Sequence, residues 1–124
     1  MTITPINVPA LIDQIKTSAS AILGQNIENA QGFSQDQLAA MAQQAETIAG
    51  GIATGEIRPS LQQFFLDQLK QSAQNFVRVL VGLALVTVEQ LWNSVVNSLW
   101  GALSAATGLN FTAPAWTESG LSTT

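Results

Sequence analysis

The groups in this chain able to do acid–base or ligand chemistry are few. They are eight carboxylates (Asp13, Glu28, Asp36, Glu46, Glu56, Asp67, Glu89 and Glu118) and four cations (Lys16, Arg58, Lys70 and Arg78). The carboxylates are spread singly, so no close pair suggests the two-carboxylate work of a glycoside hydrolase. Histidine, cysteine and tyrosine are absent, which removes the commonest general base, the soft metal ligand, the thiol nucleophile and the phenolic acid. Serines abound, but without histidine no serine triad has its proton acceptor, and neither lysine stands in a Ser-x-x-Lys motif. Gly50-Gly51 and Gly55 are not followed by Gly-Lys-Ser/Thr, so they make no phosphate loop. This inventory predicts a non-enzymatic protein with no cofactor and no metal.

The surface is as bare as the chemistry. Of 124 residues only 10% are charged, against about a quarter in ordinary soluble domains. A mean hydropathy of +0.26 together with this scarcity predicts surface covered by other subunits or by lipid. A net charge of −4 and scattered basic residues leave no phosphate footprint, so no nucleic-acid partner is expected. With no cysteine there is no disulfide framework. The start, MTITPINVPALIDQIK, lacks the basic segment and continuous apolar core of a Sec signal. The expected setting is a cytoplasmic assembly or a virion, with membrane association as the further option.

The elements that position these groups read as all-α, in one helical domain over residues 1–107 followed by an extended arm over 108–124. A first amphipathic helix spans about residues 8–23, with Val8, Leu11, Ile12, Ile15, Ala19, Ile22 and Leu23 on one face, Asp13, Gln14, Lys16 and Thr17 on the other, and Gly24 as its C-cap. Residues 25–32 (QNIENAQG) read as a polar loop. A second helix spans about 35–50. Ser34 and Gln37 have capping-box spacing, Phe33 and Leu38 the spacing of a hydrophobic staple, and Gly50-Gly51 ends or loosens the helix. Residues 54–59 form a connector, and Ser60 with Gln63 repeats the capping-box spacing at the head of a third helix.

That third helix dominates the reading. From Ser60 to Thr107 there is no proline, and only Gly82 and Gly101 interrupt the side chains. Phe65, Leu69, Ala73, Phe76, Leu80, Ala84, Val88, Leu91, Val95, Leu99 and Leu103 recur in steps of three and four. One helix over 60–107 would be about 70 Å long, more than two short helices can cover, so copies of the chain are expected to pack along it. A strand over 77–88, where β-branched residues are dense, is the weaker reading because the helical period continues on both sides.

Within this rod Glu89, Asn93 and Asn97 form a polar stripe at intervals of four. Trp92 and Trp100 lie eight apart and suit either a protein groove or a bilayer interface. Residues 76–99 have the length of a bilayer span but contain Glu89, which makes a lone span costly. The arm carries Phe111, Pro114 and Trp116, two aromatic anchors suited to a groove on a neighbour. The expected interface, protein or lipid, is therefore Phe65, Leu69, Phe76, Leu80, Leu91, Trp92, Val95, Leu99, Trp100, Phe111 and Trp116.

Residues 38–69, a Gln/Ala-rich helix followed by Gly55-Glu56-Ile57 and a new helix start, resemble small α-helical virion proteins of bacteriophages. The apolar, histidine-free helix behind them is similar in character to internal or ejection proteins that contact membranes. The resemblance covers about half the chain, implies a structural role in a particle, and assigns no functional residue. The expected function is a structural or assembly protein that forms homo-oligomers through the long helix, joins other subunits, and latches neighbours with its arm. The alternative is a membrane-active helical protein, ejection-type or holin-like, that inserts residues about 76–103 into a bilayer.

Overall fold

The chain begins its first helix with a side-chain cap. In the computed structural model, which describes residues 6–80 and 84–114, Asn7 accepts a hydrogen bond from the Ala10 amide at 3.1 Å, and Pro9 sits in the first turn. This satisfies an amide that a helix start leaves unpaired, and proline there gives up a donor that would be unpaired anyway. Helix α1, Val8–Leu23, buries Leu11, Ile15 and Ala19 and ends at Gly24 with φ 72°, as the spacing predicts.

Residues 25–32 differ from the expected polar loop. Ile27–Asn29 forms a single 3-10 turn, and Ile27 is completely buried. Ser20 Oγ accepts from the Ile27 amide at 2.9 Å, Asn26 accepts from the Glu28 amide at 2.9 Å, and Lys16 Nζ meets Glu28 at 2.6 Å. The loop thus plugs one flank of the core with one apolar side chain and pins that plug to α1 by polar contacts.

Helix α2, Gln35–Thr54, starts at the predicted cap, with Ser34 Oγ accepting from the Gln37 amide at 3.1 Å. Gly50-Gly51 does not end it: the helix runs on to Thr54 and caps at Gly55. A Cβ on Gly51 would stand 2.6 Å from Ile57 Cδ1, so glycine there makes room for the connector's one apolar side chain. Packing of Ile57 compensates for the weak helix propensity of the pair.

Helix α3, Pro59–Arg78, does not use the expected Ser60–Gln63 capping box. Pro59 occupies its first turn, Arg58 is the cap residue without a side-chain bond, and Gln63 Nε2 donates instead to Asp67 Oδ1 at 2.8 Å.

The long helix over 60–107 is not found. It is two helices, α3 and α4, the latter spanning Leu85–Thr107. Helix α3 closes with the Val79 amide on Asn75 O and the Leu80 amide on Val77 O. The β-branched run Val77, Val79 and Val81, followed by Gly82, is the weakest helix-forming stretch of the expected rod. With α3 ending at Arg78 and α4 beginning at Leu85, one half of the expected rod packs against the other. No helix among the described residues is long and apolar enough to cross a membrane, so a single span over about 76–103 is corrected as well.

The result is a four-helix bundle, all-α among the described residues. Helix α4 packs on α1, α2 and α3, and α2 packs on α1 and α3. Helix α4 buries a broad face: Leu91, Val95, Leu99 and Leu103 along one line, with Trp92, Val96 and Trp100 beside it. The apolar surface that seemed to require neighbouring copies is covered within one chain. Phe33 on the loop before α2 meets Phe76 of α3 edge-on at 6.1 Å, and Ser72 Oγ donates to Gln44 Oε1 across α3 and α2 at 2.7 Å.

Candidate interaction surfaces

The titratable groups are not gathered by the fold. Each described carboxylate, from Asp13 to Glu89, is exposed, and among the described residues no group of three or more acids could hold a metal ion. Glu118 lies outside the described residues. The polar stripe Glu89, Asn93 and Asn97 is exposed along one ridge of α4, continued by Gly101 and Ala105.

The expected interface residues divide differently from the sequence reading. Leu69, Phe76, Leu80, Leu91, Trp92, Val95, Leu99 and Trp100 lie buried in the chain's own core. Phe65 and Phe111 are half-buried against it. Trp116 lies outside the described residues.

The outward apolar residues are others. Leu61 and Phe64, on the first two turns of α3, are 45% and 56% exposed. Phe64 meets Phe65 edge-on at 5.3 Å, one ring facing out and the other leaning on the core. A second exposed pair, Val79 at 40% and Val86 at 63%, flanks the connection between α3 and α4. Two adjacent phenylalanines on a helix point about 100° apart, so the sequence did hold a signal that one of them had to leave the core.

The arm supplies the third surface. Past Gly108 its described residues, as far as Pro114, turn back along α4: the Phe111 amide donates to Ser104 Oγ at 3.2 Å, and Trp92 Nε1 donates to the Pro114 carbonyl at 3.0 Å. Phe111 and Ala113 pack against the core. The arm lies in a trough floored by Trp100. On the α3 side remains a recess of about 310 Å³ lined by Gln63, Asp67, Lys70 and Asn110. On the other side is a recess of about 340 Å³ lined by Asn97, Gly101 and Ser104.

No family model, curated protein or solved structure matches the chain.

Proposed function

We propose that the protein is a non-enzymatic structural or assembly subunit that packs with copies of itself and with other subunits of a larger particle, a virion being the setting its sequence resembles. The observation that carries this reading is Phe64, a large aromatic held outward beside Leu61 on a helix whose neighbouring turns are polar. An exposed aromatic on a rigid element is the usual anchor of an interface. Scarce charge and a chain without histidine, cysteine or tyrosine support a packing role over a chemical one. Self-association no longer rests on a long apolar helix, because the halves of that rod cover each other. The test is light scattering after size exclusion across a concentration series. Wild type should gain mass as concentration rises, and Leu61→Gln with Phe64→Gln should hold it at one copy. A wild type that stays at one copy throughout would remove self-assembly from the proposal.

A second reading is membrane contact, favoured by the exposed Val79 and Val86 at the ends of a connection that holds no charge over residues 79–88. It takes the form of shallow contact through Val79 and Val86 and not of a span. Flotation with zwitterionic liposomes tests it: wild type should float and Val86→Asp should not.

A further inference from the structure

Helix α3 carries a second line of residues that the core does not use. Leu61, Phe64, Gln68, Gln71, Asn75 and Val79 follow in steps of three and four, and all are exposed. That spacing sets them on one face of the helix. Val79, the cap residue, keeps helical geometry at φ −76° and ψ −13°. We infer that this face is a two-fold interface on which α3 of a second copy lies antiparallel. The inference rests on the assembly reading and gives it a register.

Two features name a second copy as the occupant. The first is that the stripe is apolar at both ends and amide in the middle: Leu61 and Phe64, then Gln68, Gln71 and Asn75, then Val79. About a two-fold axis between Gln68 and Gln71, Leu61 meets Val79 of the second copy, Phe64 lies over its Asn75, and Gln68 faces its Gln71. Each primary amide both donates and accepts, so the central glutamines satisfy one another without a foreign partner. A patch that finds its counterpart on the identical patch closes as a dimer.

The second feature is charge. The chain carries a net −4, so copies repel unless they meet on neutral surface. The stripe holds no charge. Asp67 and Lys70 lie off it, with Asp67 accepting from Gln63 Nε2 of its own helix at 2.8 Å, and Arg78 lies at its edge beside Val79. A parallel pair would bring the two Arg78 side chains together. The antiparallel pair holds them about 25 Å apart along the axis, roughly three Debye lengths at physiological salt. One helix face per copy falls at the low end of specific interfaces, roughly 1,200 Å² in total, so the dimer is weak and exchanges readily.

The chain has no cysteine, so introduced thiols report the contact directly. Gln68→Cys and Gln71→Cys stand opposite one another across the axis and leave Leu61, Phe64 and Val79 in place. Mixed under mild oxidation, these full-length variants should form a disulfide-linked dimer about fivefold faster than Asn75→Cys does with itself. The antiparallel register keeps two Asn75 positions about 16 Å apart along the axis. A faster Asn75→Cys dimer would mean parallel helices and overturns the register. Equally slow cross-linking in all, while wild type still gains mass in light scattering, overturns pairing through α3 and leaves the assembly reading standing. No cross-link and no gain in mass overturn both.

Val79 separates this interface from lipid contact. Val79→Asp should weaken self-association about tenfold, and Val86→Asp should leave it unchanged. If Val79→Asp keeps the gain in mass and abolishes only flotation with zwitterionic liposomes, Val79 serves a membrane and the register is overturned.

Discussion

A Cβ built on Gly32 would stand 1.9 Å from the carbonyl oxygen of Val79 and 3.3 Å from the Cα of Leu80. The loop before α2 therefore lies backbone to backbone against the end of α3, where the expected rod breaks. Gly32 also has φ 91°, a region that side chains rarely enter. Gly32→Ala should cost about 3 kcal/mol, combining backbone strain with a shift of α3's end. Gly24→Ala, at φ 72° with open space around it, should cost about 1 kcal/mol. Urea midpoints at constant slope separate the two, and equal losses would show that the Gly32–Val79 contact is absent.

Burial of the rod within one copy makes a prediction about concentration. Phe76 and Leu99 are completely buried in the single chain. Leu99→Ala should lower stability by about 3 kcal/mol through the cavity it leaves. The gap between the wild-type and Leu99→Ala thermal midpoints should stay the same at every protein concentration. A gap that changes on concentrating the sample would place Leu99 between copies instead.

Gly51 and Ile57 should behave as a coupled pair. Gly51→Ala alone pushes a methyl group into the Ile57 side chain, where the nearest atoms stand at 2.6 and 2.7 Å. That should offset its gain in helix propensity and destabilise the protein by about 1 kcal/mol. In an Ile57→Ala background both contacts are gone, and the same substitution should stabilise by about 1 kcal/mol. A double-mutant cycle without this change of sign would disprove the packing assigned to the connector.

Ser94 offers a gain. Its hydroxyl is buried and has no hydrogen-bond partner among the described residues. Ser94→Ala removes an unsatisfied group and adds helix propensity, so it should stabilise by about 1 kcal/mol. A loss of stability in chemical denaturation would mean that the hydroxyl has a partner.

The legible parts of the fold are those signalled by adjacent residues. Val8–Leu23 could be read to its ends because a three-four stripe stops at a glycine, and Ser34 announced α2 through a cap three residues long. Ile27 and Ile57 were not legible as core, because a single apolar residue in a polar loop has no period to betray it. The break between α3 and α4 was hidden for the opposite reason. Phe76, Leu80, Ala84 and Val88 keep a spacing of four straight through it, so periodicity alone could not separate one helix from two. The outward surface suffered likewise: the stripe through Phe65 drew attention, and Leu61 and Phe64 fell on the face it ignored.

By itself the sequence determined that this protein is helical, poor in charge, and without histidine, cysteine or tyrosine, because composition, caps and local period need no distant partner. Only the tertiary structure decided that the apolar half folds back in a bundle, that Trp92 and Trp100 are core, and that Phe111 to Pro114 lie along α4. Helix α4 is apolar on a face too broad for one neighbour, and that face is buried only when α1, α2 and α3 close on it together. Such closure depends on residues far apart in the chain, which no local pattern records.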